Sequence, residues 1–252
     1  MNARNVSLAA AAMLAALLGA CGPADHDRAA TPDATTSAAE SARAPTPAAA
    51  DTDEARARAA RLQIWDRLGF GMFVHWGLYS QLGGVWNGRP VERGYSEQIQ
   101  SWANIPHAEY AKVAKGFDAA RFDADALCGL AQEAGARYVV VTSKHHDGFA
   151  MFDTASTDFD IVDATPFGRD PIALIGQACR KRGLGLGIYF SLVDWHAGHA
   201  FDPDNVNPIP ASMEPLIEQQ LTELMSNYGP ISEVWFDMST PTPEQSRRFA
   251  AI

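Results

Sequence analysis

The chain has 252 residues, 47% of them hydrophobic and 20% charged, with 20 Lys and Arg against 30 Asp and Glu for a formal net charge of −10. That is the composition of a folded globular chain, and its acidity excludes a protein built to grip phosphate backbones, so nucleic acid is not an expected partner. Residues 1–54 hold three arginines against seven acids, which leaves −6 for the remainder, a balance that points to no particular ligand.

Arg4 precedes an apolar run over residues 6–18, and Leu18-Gly19-Ala20-Cys21 closes it. This is the layout of a secretory signal with a short apolar centre, too short for a stable membrane span. A Cys directly after Leu-Gly-Ala resembles the bacterial lipoprotein box. The resemblance implies cleavage before Cys21, lipidation of its thiol, and a protein exported to the periplasm or cell surface and held to a membrane only through that anchor. The plainer alternative is an ordinary signal peptide that contains a Cys. Gly22 rather than Asp follows, which favours outer-membrane sorting in a Gram-negative host. Residues 1–20 thus read as signal and residues 21–54 as a tether. The stretch from Pro23 to about Ala50 is rich in Ala, Thr, Pro, Ser and Asp, with too little apolar surface to offset its conformational entropy.

Residues 55–252 read as the folded part of the chain. Residues 70–76, 138–142, 184–190 and 233–236 are short runs rich in Val, Ile and aromatics, the signature of strands covered on both faces. Helical patterns lie between them. Residues 119–134 form one, with Asp123 as N-cap and Gly135 as its stop; residues 172–182 end at Gly183, and residues 213–228 end at Gly229. Cys128 and Cys179 fall in two of these helices and read as separate core thiols, although export would permit a disulfide. Alternating strand and helix predicts a parallel sheet. Polar residues gather after each strand: His75 and Trp76, Lys144-His145-His146-Asp147, Ser191 with Asp194-Trp195, and Asp237. That end of a parallel α/β sheet is where active sites form. The fold class is therefore α/β, and four units over residues 70–252 would amount to half of an eight-unit barrel.

Asp237 ends Val234-Trp235-Phe236-Asp237 and so stands at the mouth of the sheet, where a carboxylate can attack an electrophilic carbon or orient a water. Taken alone, an Asp there reads more simply as a helix cap. His145 and His146 are adjacent, and their side chains reach one site only where a strand gives way to a loop. That spacing is poor for a two-His metal pair, so a metallohydrolase built on His75, His145, His146 and Asp147 is the weaker alternative. Neutral imidazoles and indoles beside a carboxylate suit a sugar, whose hydroxyls take hydrogen bonds while an indole covers its apolar face. The glycines of Gly83-Gly84-Val85-Trp86-Asn87-Gly88 read as turn formers, since no helix with a Lys-Ser/Thr start follows them. Glu97 in the same long loop is a solvated acid unless the loop folds back over the strand ends.

Gly71-Met72-Phe73-Val74-His75-Trp76-Gly77, Lys144-His145-His146-Asp147-Gly148-Phe149 and Trp235-Phe236-Asp237, in this order and spacing, closely resemble the α-L-fucosidases of glycoside hydrolase family 29. The likeness runs from about Trp65 to Asp237. It implies a (β/α)8 TIM-like barrel, of which this chain would supply about the first four β/α units. It also implies exo-acting, retaining removal of terminal α-L-fucose from oligosaccharides or glycans, without metal or cofactor. By the same resemblance Asp237 is the nucleophile, His75, His145, His146 and Glu97 bind the fucose hydroxyls, and Trp235 lies against the sugar. A further contact is expected at Tyr189-Phe190, with either residue open. Gln98 departs from the family, which often has Trp after the matching Glu. The family's acid/base Glu lies downstream of the nucleophile, beyond Ile252. Glu244 follows Pro241-Thr242-Pro243 and reads as a first-turn helical acid, not as that group. A fragment of a longer gene product is favoured over a truncated gene, because a half barrel would leave a strand edge bare. The rival function is a non-catalytic, lipid-anchored carbohydrate-binding protein derived from such a hydrolase.

Overall fold

Runs of β-branched and aromatic residues with no polar alternation become strands here, but only the two central ones, residues 138–144 and 185–191, are covered on both faces. Residues 71–74 and 231–237, expected to be covered likewise, end the sheet and are only partly buried, with Phe73 37% and Trp235 47% exposed. Val139, Val140 and Val141 are each at most 3% exposed. The computed structural model describes residues 53–199 and 207–252. The signal, Cys21 and nearly all of the tether lie outside the described residues. Helix α1 (Asp53–Leu68) is followed by β1 (Gly71–Val74), α2 (Tyr79–Leu82), β2 (Val85–Trp86), β3 (Arg89–Pro90), α3 (Ile99–Trp102) and α4 (His107–Tyr110). Then come α5 (Ala124–Glu133), β4 (Tyr138–Lys144), α6 (Pro171–Lys181), β5 (Gly185–Ser191), α7 (Glu214–Asn227), β6 (Ile231–Asp237) and α8 (Pro243–Phe249).

Four strands form one parallel sheet in the order β1-β4-β5-β6, so each new unit lays its strand beside the last. The expected parallel α/β arrangement is therefore present. The register pairs Val74 with Val141, Tyr189 with Trp235, and Ser191 with Asp237. Val139, Val141, Leu186, Ile188 and Phe190 pack on Ile172 and Ile175 of α6 and on Ile217, Leu221 and Leu224 of α7, in one buried cluster. The alternate residues, Phe73, Tyr189 and Trp235, meet on the other face, with Phe73 edge-on to Tyr189 at 6.0 Å and to Trp235 at 5.3 Å.

The helices start where their caps allow. Asp123 accepts the Ala126 amide at 2.9 Å and Asp170 accepts the Ala173 amide at 2.9 Å, with Pro171 opening α6. The helix expected over residues 119–134 accordingly begins only at Ala124, and Ala119 turns away with a φ of 43°. Gly183 follows α6 with a φ of 71°, the left-handed stop that the sequence indicated. Thr242 and Gln245 close a capping box around α8, which makes Glu244 an ordinary first-turn acid.

The glycines read as turn formers are that: Gly83, Gly84 and Gly88 all have positive φ. Asn87-Gly88 turn the β2–β3 hairpin, which went unread in the sequence, as did α2 to α4, which organise the long segment between β1 and α5. That segment packs on its own apolar cluster, Leu78, Ile99, Tyr110 and Phe117 against Phe149, Ile161 and Phe167, which brings it back over the strand ends.

Candidate active site

A β-bulge between Thr142 and Lys144 ends the regular pairing of β4, and His145 and His146 follow it at once. The strand gives way there, and both imidazoles enter one cluster with centroids 4.3 Å apart. The His145 ring stacks on Tyr189 at 5.1 Å and 11°, and His75 meets Tyr189 at 5.1 Å and His145 at 5.5 Å. Phe73 stacks beneath His75 at 4.8 Å.

Asp237 closes β6 beside this cluster. The Tyr189 hydroxyl donates to Asp237 Oδ2 at 2.8 Å, and His146 Nε2 lies 3.6 Å from the same oxygen. Tyr189 is thus the member of the Tyr189-Phe190 pair that faces the site. Phe190 points into the helical core, with the Lys144 ammonium 4.6 Å over its ring. Trp235, two residues before Asp237 on the same face, is 47% exposed and open to a ligand.

Burial sets the protonation of the cluster. It holds His145 well below the usual imidazole range, with His146 and His75 adding repulsion, and it lowers His146 to about 4 against the opposing pull of Asp237. Both rings are neutral at ordinary pH. They offer hydrogen bonds to hydroxyls without a competing positive charge. His145 Nδ1 is buried with no hydrogen-bond partner among the described residues.

Glu97 lies in the single turn Ser96–Gln98 that leads into α3, and its charge acts on His75 and Tyr189. The long segment therefore does bring Glu97 back toward the strand ends. Gln98 is buried; its amide accepts from Trp102 Nε1 at 2.9 Å and donates to Met238 Sδ at 3.1 Å, directly beside the carboxylate. Trp76, grouped in the sequence with the polar residues after strands, turns away and stacks on Phe122 at 5.2 Å. Among the described residues, no three His, Cys, Asp or Glu side chains converge as metal ligands.

The remaining polar residues of the Lys-His-His-Asp segment are structural. Lys144 and Asp194 form a buried ion pair at 3.1 Å, and Asp147 accepts the Tyr110 hydroxyl at 2.7 Å and the Phe149 amide at 3.0 Å. The segment thereby ties the end of β4 to the loop after β5 and to α4. It aims the two imidazoles between these anchors.

Three comparisons bear on this geometry. A family profile described as Alpha-L-fucosidase matches residues 35–251. The tissue α-L-fucosidases of rat and human are 32% and 31% identical over 190 and 195 residues, covering 71% and 73% of this chain. The chain spans about two fifths of their length, 40% and 41%. An unliganded α-L-fucosidase from Lactobacillus casei superposes with a TM-score of 0.67 at 34% identity, covering 76% of this chain and 66% of that one. The same enzyme in complex with its α-L-fucose product gives 0.66 at 35%, covering 76% and 65%. Sequence, sheet and profile agree: this chain belongs to the α-L-fucosidase family.

Proposed function

We propose that the protein is an exo-acting, retaining α-L-fucosidase that removes terminal α-L-fucose from oligosaccharides or glycoconjugates, with Asp237 as its nucleophile. The observation that carries this reading is the carboxylate of Asp237 at the C-terminal end of β6, held by the Tyr189 hydroxyl and flanked by neutral, buried imidazoles. A carboxylate so placed forms a bond to the anomeric carbon as the glycosidic oxygen leaves with a proton from a second carboxyl group. Water then gives up a proton to that second carboxylate and attacks the same carbon, the ester bond to Asp237 breaks, and fucose departs with its configuration retained. In this reading His75, His145, His146 and Glu97 hold the sugar hydroxyls and Trp235 covers the apolar edge of the ring. The four β/α units are read as the first half of a (β/α)8 barrel, supported by the sequential parallel order of their strands.

Export and attachment to a membrane through a lipidated Cys21 complete the proposal, resting on the apolar leader and the Leu-Gly-Ala-Cys sequence. Labelling with a radioactive fatty acid should mark the protein and fail to mark Cys21→Ser.

The direct test is release of 4-nitrophenol from 4-nitrophenyl α-L-fucopyranoside by the full-length protein. Asp237→Ala is expected to abolish turnover while fucose binding persists. Undiminished hydrolysis by that variant would overturn the assignment, and fucose binding without hydrolysis by the wild type would favour a carbohydrate-binding role.

A further inference from the structure

Ser191 ends β5, two residues beyond Tyr189 and opposite Asp237 in the register with β6. Its side chain is fully buried, and its hydroxyl has a single proton to give. The Val193 carbonyl oxygen, which can only accept, lies 2.7 Å from Ser191 Oγ and takes that proton. The other contact of the hydroxyl, 2.6 Å to His146 Nδ1, then has to be supplied with a proton by the ring.

We infer that Ser191 is a positioning residue that locks His146 in its Nδ1-protonated tautomer and leaves Nε2 as a bare acceptor beside the Asp237 carboxylate. The groups around Nε2 pull the other way, since Asp237 Oδ2 at 3.6 Å and Met238 Sδ at 3.1 Å are both acceptors. But the carboxylate lies beyond hydrogen-bond distance and the thioether is a weak acceptor, so the 2.6 Å contact at Nδ1 outweighs them and leaves the Nε2 lone pair for a donor from outside the protein. A substrate hydroxyl is such a donor. The opposite tautomer would aim an N–H at Asp237 Oδ2, draw on the electron pair that has to form the new bond, and force the Ser191 proton off Val193. Protonating both nitrogens would satisfy every neighbour, but the ring is 1% exposed, and Lys144, His75 and His199 add repulsion to the cost of burying its charge.

The proton arrangement stands on these contacts alone; its consequence for turnover rests on the fucosidase reading. The test uses the full-length protein with 15N-labelled histidine. Long-range 1H–15N correlation at neutral pH reports which nitrogen of each ring carries the proton, and His146→Gln identifies the signals of residue 146. The wild type should show Nδ1 protonated and Nε2 bare. Ser191→Ala should move the ring toward Nε2 protonation and lower kcat for 4-nitrophenyl α-L-fucopyranoside about tenfold or more, with KM changing less. Ser191→Thr, which retains the hydroxyl, should restore both readouts. Ser191→Cys fills nearly the same space with a poor hydrogen-bonding atom and should behave as Ser191→Ala, so the lock is testable even if the alanine variant fails to fold. A wild-type ring protonated at Nε2, or alanine and cysteine variants that keep the wild-type tautomer and kcat, would overturn the inference. If the wild type hydrolyses no fucoside, the fucosidase reading fails while the nitrogen signals still decide the role of Ser191.

Discussion

His145 and His146 are neutral because they are buried, and this couples the stability of the fold to pH. An unfolded histidine titrates near 6.5, whereas the folded His146 takes a proton only near 4 and His145 is displaced in the same direction. The unfolded chain therefore binds protons first. The stability these rings contribute is complete above about pH 6.5 and is lost as the pH falls toward 4. Asp147, pushed up to about 6 by its burial, acts in the opposite sense, holding a proton in the fold that the unfolded carboxyl has released. Asp160 is likewise pushed up to about 6 by burial, and between pH 6.5 and 6 both carboxyls already take up protons in the fold. But His75, His196 and His199 are lowered by burial as His145 and His146 are, so the imidazoles outnumber the carboxyls and the thermal midpoint should fall as the buffer is acidified through that interval; a rise there would contradict the assignment. Gly148 gives a second prediction. Its φ of 79° and the 2.3 Å that would separate an added Cβ from Asp194 Oδ1 mean that Gly148→Ala should destabilise the protein by at least about 1–3 kcal/mol in denaturant titration. The sequence made His75, His145, His146 and Asp237 legible because each follows a strand signal. It could not choose Tyr189 over Phe190, since an all-apolar parallel strand carries no alternation from which to set the phase. The role of Ser191 was equally hidden, being defined by where one hydroxyl proton goes.

At the scale of elements, the Lys144–Asp194 pair joins the end of β4 to the loop that follows β5, with both side chains at most 4% exposed. Lys144→Met would leave a buried carboxylate without its partner and should cost about 3–5 kcal/mol, whereas Lys144→Met combined with Asp194→Leu should recover much of that loss. Equal stability of the single and double variants would show that the pair itself is not what holds the loop. Between α5 and α6, Cys128 Sγ lies 3.6 Å from the Ile175 carbonyl, on the turn of α6 that carries Cys179. Both thiols are 0% exposed, so a maleimide should label neither in the native protein and both after unfolding. The central strands and helices were readable because apolar period, cap and glycine stop coincide in each. The segment between β1 and α5 was not. Its short helices have no period long enough to see, and its shape comes from packing Tyr110 and Phe117 on Phe149, far away in the sequence.

Across the molecule, four strands deliver their C-terminal ends to one side, and the long segment after β1 carries Glu97 back to the same place. One face of the sheet builds the core with α6 and α7, and residues of the other face, Phe73, Tyr189 and Trp235, lead to the carboxylate. On the proposed reading, Asp237 is the group on which turnover depends. That role is tested most directly by trapping the covalent intermediate. With 2-deoxy-2-fluoro-L-fucosyl fluoride, the electron-withdrawing fluorine slows both displacements while the good leaving group keeps the first one moving, so the ester accumulates. Mass spectrometry of the digested full-length protein should find one fluorofucosyl group, on Asp237 in the peptide that spans β6, and none in Asp237→Ala. A label on any other carboxylate, or the same label on the alanine variant, would contradict the assignment of Asp237 as the nucleophile.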